Sequence, residues 1–303
     1  MQIALIAAHA ERAERGGVES VVWTQARALA ERGHAVRIVA GTSTAAREPS
    51  TERELRAGID ILRIARTAAE PFGLELTHPR VIAQVQRAVG SAEVVHLHHW
   101  YTLSEGLVAA LAREHAVVVS LHDHFASCPR FFRCAPEGGP VCPVGVDHAT
   151  CARCVALDLP IPPLRELERR LEARAARFAT ELAAAQAILV PSRAHAARLA
   201  RALPALGARL RVLAPGIAPE LARRRPRRRA WDGRGELVIL HCGRRSTQKG
   251  TLDLVRALAP LPRGRVRLLA HGGSSSPGFD EELARAAPGL ALELHGPYDP
   301  QSL

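Results

Sequence analysis

Two kinds of hydrophobic pattern alternate along the first two-thirds of the chain. Short apolar runs predict strands at Gln2–Ala7, Ala35–Ala40, Ile59–Ala65, Glu93–His98, Ala116–Leu121, Gln186–Val190 and Arg209–Leu213. Between them, apolar residues recur every three or four positions and predict helices at Gly17–Arg32, His78–Val89, Leu103–Arg113, Leu164–Ala184 and Arg193–Arg201. The first helix is expected to stop at Gly33, a residue suited to a left-handed cap. Leu164–Ala184 carries many Glu and Arg neighbours at helical spacing and is expected to be a surface helix. Strands alternating with helices imply right-handed crossovers and a mainly parallel, doubly wound sheet.

The alternation breaks between Pro215 and Gly235, where prolines, glycines and the run RRRPRRR (Arg223–Arg229) predict a linker. It resumes with strands Leu237–Cys242, Val266–His271 and Leu290–His295 and helices Thr251–Ala259 and Phe279–Ala286. The expected organisation is therefore α/β, with two doubly wound Rossmann-like domains. The first covers 1–215 and includes a Cys-rich insertion at about 124–160; the linker covers 216–235; a partial second domain of three strands covers 236–303.

Composition narrows the function. Of 303 residues, 47% are apolar and 23% charged, an ordinary balance for a globular protein. The opening MQIALIAAHA has no basic residues ahead of its apolar run and is expected to be a strand, not a signal peptide, which places the protein in the cytoplasm. No stretch reaches the roughly 18 apolar residues of a membrane span. The net charge of +11 points to an anionic partner, although Ala- and Arg-rich usage also fits a general coding bias. Aromatics make up 4%, too few for base-stacking platforms, so nucleic acid is not the expected partner. RRRPRRR is either a solvated linker or a peripheral contact for an anionic membrane surface.

Of 41 Lys plus Arg, one is lysine: Lys249, in HCGRRSTQKGT. Here a glycine follows a strand and the lysine precedes a helix, the place where ligands bind on open parallel sheets. Helix N-termini favour phosphate. Arg244 can offer a planar fork and Lys249 a mobile point charge, so both can converge on one diphosphate. Gly16 and Gly17 follow the first strand directly before a helix, a pairing that lets backbone amides approach an anion.

The combination of ERGGVESVVWTQARALAERGHAVRIVAG, EVVHLHHW, VVSLHDHF, AILVPSRA, RVLAPGI and HCGRRSTQKGTLDLVRAL resembles a family 4 glycosyltransferase of GT-B fold, over essentially the whole chain and in the family's order. The resemblance implies retaining transfer of a sugar from a nucleotide-diphosphate-sugar donor to a glycan or lipid-linked acceptor, with no metal required for catalysis. It implies that Arg244 and Lys249 hold the donor diphosphate and that Gly16 and Gly17 touch the phosphate or transferred sugar. His122 matches the family histidine at the reacting centre, with His98 and Asp123 on the acceptor side. Ser192 matches the family's PS motif, and Gly216 its glycine turn, with Pro215 in place of asparagine. The family's paired-glutamate element, two glutamates separated by seven residues, is expected beyond Leu303. A non-catalytic sugar-nucleotide or polyanion binder, a truncated relative, is the alternative.

Histidines bunch at His96, His98, His99, His122 and His124; a functional cluster and a polar rim are both open for His96, His99 and His124. Five of six cysteines fall at Cys128, Cys134, Cys142, Cys151 and Cys154. The Cys151-x2-Cys154 spacing suits structural zinc on four of the five, with unliganded thiols and disulfides as the other readings.

Overall fold

The computed structural model describes residues 1–10, 16–70, 77–134, 142, 147–157, 163–217, 222–223, 231 and 233–297. The chain divides into two compact units, with the main boundary between Arg224 and Arg225.

The first unit contains strands β1 (Gln2–Ala7), β2 (Ala35–Gly41), β3 (Ser50–Arg56), β4 (Ile59–Ala65), β5 (Val94–Leu97), β6 (Ala116–Ser120), β7 (Ala187–Val190) and β8 (Leu210–Val212). Its helices are α1 (Gly17–Ala30), α2 (Pro79–Val89), α3 (Leu107–Leu111), α4 (His148–Val155), α5 (Leu164–Ala183) and α6 (Arg193–Ala202). The strands form one sheet in the order β3-β4-β2-β1-β5-β6-β7-β8, parallel throughout except for the antiparallel β3–β4 pair. From β1 the chain winds to one side through β2 and β4, then returns to β5 and winds to the other. The reversal therefore lies between β1 and β5, where a crevice opens outside the strand ends. β1 runs buried from Ile3 to Ala7, as a strand covered on both faces must.

Several expectations need correction. β3 was not foreseen: STERELR alternates charge and is largely exposed, so its sequence carries no apolar face, and pairing with β4 creates it. The helix expected at Leu103–Arg113 shortens to Leu107–Leu111, because Gly106 sits in a left-handed conformation at φ 80°. The Cys-rich insertion includes α4, capped by the Asp147 side chain, which accepts a hydrogen bond from the Thr150 amide. All of the arginine run except Arg223 lies outside the described residues.

α5 is not a surface helix. It buries Leu167, Leu171, Arg174, Phe178, Glu181 and Leu182 along one stripe. Arg174 lies over the Phe178 ring at 4.4 Å and the Phe125 ring at 5.4 Å, and it donates to the Phe125 carbonyl at 2.5 Å. Burial lowers its pKa to about 10. Glu181 accepts from the Val108 amide at 2.9 Å, at the first turn of α3, where the helix dipole favours a negative charge. Burial nonetheless pushes its carboxyl up to about 7. A carboxyl raised in the folded state costs no stability below its unfolded pKa, and stability falls as pH rises toward the folded value. Glu181→Gln is therefore expected to gain about 3 kcal/mol relative to the parent between pH 4.5 and about pH 7, since each pH unit in that window costs the parent about 1.4 kcal/mol. Urea unfolding at the two ends of the window measures this, and equal pH slopes for both proteins count against it.

The second unit contains β9 (Leu237–Cys242), α7 (Thr251–Leu258), β10 (Val266–His271), α8 (Phe279–Ala286) and β11 (Ala291–His295). Its described strands form a parallel sheet in the order β11-β10-β9. Val255, Leu268 and Leu283 are fully buried at the centre of its core. No described helix is long and apolar enough to cross a membrane.

Candidate active site

At the carboxyl end of β9, Gly243 adopts φ 139° and Gly272, at the end of β10, adopts φ 133°. A Cβ on Gly272 would stand 2.0 Å from the Gly243 carbonyl oxygen, so only glycine allows these two turns to meet. Arg245 then fastens the loop from beneath. Its buried guanidinium donates to the carbonyls of Ala270 at 3.3 Å and His295 at 2.6 Å, to that of Gly272, and to both Asp280 oxygens at 2.8 and 2.7 Å. Ser246 caps the following turn by accepting from the Lys249 amide at 3.3 Å. The Thr251 hydroxyl, fully buried, accepts from the Ser246 amide at 3.2 Å and meets His241 Nε2 at 3.3 Å.

The two cations singled out by sequence are thus carried on a fixed loop. Arg244 and Lys249 are both exposed, and Arg244 reaches the Ser275 carbonyl at 3.3 Å. Arg245, chemically identical to Arg244, points inward and is consumed by the fold. Sequence reading did not separate their roles.

In the first unit, Gly16 is the N-cap of α1 and Gly17 its first residue; both are exposed, and no side chain caps this helix. The Glu19 carboxylate of the first turn lies beside Gly16, so an anion here would meet that charge as well as the helix amides. Just past β1, β5 and β6, the strands beside the sheet's reversal, lie His9, His98 and His99, and His122, Asp123 and His124. The structure brings His98 and His122 into contact: His98 Nδ1 lies 2.9 Å from His122 Nε2. His99 Nε2 meets Asp123 Oδ2 at 3.3 Å, and Asp123 Oδ1 accepts from the Phe125 amide at 2.8 Å. Burial pushes the Asp123 carboxyl up, but these bonds and the His99 charge hold it below the usual carboxylate range.

His96 belongs to the core. It is 7% exposed and is held between Gln25 Nε2 at 3.0 Å and Ser120 Oγ at 2.8 Å, and burial lowers its pKa to about 4. His124 packs against His195 with ring centroids 4.5 Å apart; burial, followed by the His195 charge, also lowers it to about 4. Burial depresses His98 strongly and His122 less so. Sequence reading missed the pair His9 and Tyr101, whose Nε2 and hydroxyl lie 2.6 Å apart. These residues are 92 positions apart, and only the β1–β5 pairing joins them. Ser192, expected from its motif, caps α6 by accepting from the His195 amide at 3.1 Å.

The five clustered cysteines form no disulfide. Among the described residues, no group of three or more His, Cys, Asp or Glu is placed to hold a metal ion, so the geometry lends the zinc reading no support. Burial, with the neighbouring Cys142 and Cys128 thiols, pushes the Cys151 thiol up to about 11.

A doubly wound unit with a histidine-lined crevice at its reversal point, and a second parallel unit with a cationic loop at a strand end, define the GT-B class of α/β transferases. The chain belongs to Glycosyltransferase Family 4, whose sequence profile matches residues 15–221. It is 27% identical over 283 residues to a D-inositol 3-phosphate glycosyltransferase of Xylanimonas cellulosilytica, covering 86% of this chain and 59% of that protein. The chain thus spans under two-thirds of the length of that relative.

Among solved structures, it is similar to the E. coli protein described as trehalose-6-phosphate bound with UDP-2-fluoro glucose. That match has a TM-score of 0.60 and 10% identity, covering 100% of this chain and 75% of that one. It is also similar to an α,α-trehalose-phosphate synthase (UDP-forming) of Burkholderia xenovorans in complex with glucose-6-phosphate (TM-score 0.61, 14% identity, 99% and 75% covered). A third is the catalytic domain of starch synthase IV of Arabidopsis thaliana bound to ADP and acarbose (TM-score 0.55, 14% identity, 98% and 74% covered). At these identities the structures establish the fold.

Proposed function

We propose that this protein transfers a sugar, with retention, from a nucleotide-diphosphate-sugar donor to a glycan or glycoconjugate acceptor at the cytoplasmic side of a membrane. The observation that carries this reading is the loop after β9, which fixes Arg244 and Lys249 on an exposed turn at the carboxyl end of a parallel strand. Two cations placed there suit a diphosphate leaving group, whose charge grows as the glycosidic bond breaks. The start of α1, at Gly16 and Gly17, suits the phosphate or the transferred sugar, with Glu19 near enough to meet a sugar hydroxyl. His122 lies at the reacting centre, and His98 and Asp123 lie on the acceptor side. The acceptor's proton passes to the donor's own phosphate. Family membership supports this reading, as do similar structures that bind UDP-2-fluoro glucose and ADP.

A thermal-shift screen of UDP, GDP and ADP tests it. One of the three is expected to stabilise the protein, by about 2.7 kcal/mol at a hundred times its Kd. Failure of all three removes the donor assignment. A binding-only role is the second reading. It predicts the same stabilisation but no release of nucleoside diphosphate when donor sugar and acceptor are supplied together.

A further inference from the structure

The row of buried histidines beside the crevice holds information about proton positions. His98 is 2% exposed, and its backbone amide is tied to the Ile6 carbonyl at 2.8 Å, so its ring cannot turn to solvent. On one side its ring lies 4.1 Å from the His96 ring, and on the other 5.1 Å from the His122 ring. His96 has nothing to offer His98. The Gln25 amide donates to His96 Nδ1, which leaves the proton on Nε2, and that proton goes to Ser120 Oγ. Among the described residues His98 Nε2 is buried and has no partner, which leaves His122 Nε2 as the one polar atom bonded to the His98 ring.

Between two neutral imidazoles, one nitrogen must donate and the other accept. If His122 donated, the proton of His98 would sit on Nε2 as a buried N–H with no acceptor. If His98 donates from Nδ1, its Nε2 is left with only a lone pair unmet. Orphaned buried donors are the rarer and more costly case. We infer that His98 is a positioning residue for His122: its Nδ1–H donates to His122 Nε2 and keeps the His122 proton on Nδ1. His122 thus meets substrate as a hydrogen-bond donor and not as a base. His122 Nδ1 makes no hydrogen bond among the described residues and is not one of the buried polar atoms, so it stays available. Burial holds both rings in their neutral forms, as a directional bond between them requires.

The catalytic consequence rests on the reading that His122 lies at the reacting centre; the tautomer itself does not. Long-range proton–nitrogen NMR correlations on the histidine-labelled chain read the tautomer directly, with His122 assigned by its loss in His122→Ala. The expected result is His122 protonated on Nδ1 in the parent and mixed tautomers in His98→Phe. Transfer assays should show kcat reduced about 10- to 100-fold in His98→Phe, by analogy with losing a partner that orients a metal-ligating histidine, with KM nearly unchanged. His98→Asn places an amide N–H where Nδ1 stood and is expected to restore most of kcat. A parent His122 protonated on Nε2, an unchanged tautomer in His98→Phe, or a His98→Asn protein as slow as His98→Phe overturns the inference. Full transfer by His122→Ala, with the expected tautomers, would instead remove His122 from the reacting centre.

Discussion

Replacing Lys249 with alanine is expected to slow sugar transfer about 10²- to 10³-fold and to weaken nucleoside diphosphate binding, while leaving the fold intact. Lys249 is exposed, and its contribution to the turn is made by its backbone amide through Ser246, which alanine preserves. Unfolding free energy should therefore move by less than about 0.5 kcal/mol, as at other exposed positions. The rate loss follows from removing a preorganised charge from a developing anion. Calorimetric titration with the nucleoside diphosphate, beside a denaturant melt, separates the two effects. Unchanged affinity in a folded protein would end the assignment of this lysine to the diphosphate.

Its neighbour in the loop should behave in the opposite way. Arg245→Met is expected to destabilise the second unit by about 3 kcal/mol, because it removes the donor to three strand-end carbonyls, while the 31% exposed Asp280 carboxylate turns to solvent. The Arg245 hydrogen bond, against the upward push of burial, and then the Arg245 charge and a Ser274 hydrogen bond hold the Asp280 carboxyl below the usual range. Arg244→Met, by contrast, is expected to unfold with the parent and to lose donor binding. Parallel urea melts of the two variants decide the matter, and equal stability for both would mean that the buried network carries little.

Much of this architecture was legible because apolar periodicity is decisive for buried parallel strands. QIALIA and VRLLAH read as strands and are strands. β3 was illegible because STERELR has no alternating apolar face; its charges pair across the strands instead, Arg53 with Asp60 and Glu54 with Arg63. α5 misled for a different reason: two positions of its buried stripe are Arg174 and Glu181, so its inner face looked like an outer one. At the site, Arg244, Lys249, Gly16 and Gly17 could be named from local punctuation, the glycines and the solitary lysine. The roles of His9, Tyr101 and Arg245 depend on partners 92, 92 and up to 50 residues away, which spacing along the chain does not encode.

The guanidinium of Arg174 ties helix α5 to the segment that leaves β6 immediately after His122, Asp123 and His124. It grips Phe125 by ring face and by carbonyl, and Glu105 lies 3.8 Å from its Nε. Losing Glu105 would strand this dehydrated guanidinium, whereas Glu105 itself keeps a second partner, Arg177, at 2.9 Å. Arg174, Phe125 and Glu105 are therefore expected to change together, if at all. Lengthening or rewriting the chain downstream of Phe125 leaves this anchor untouched.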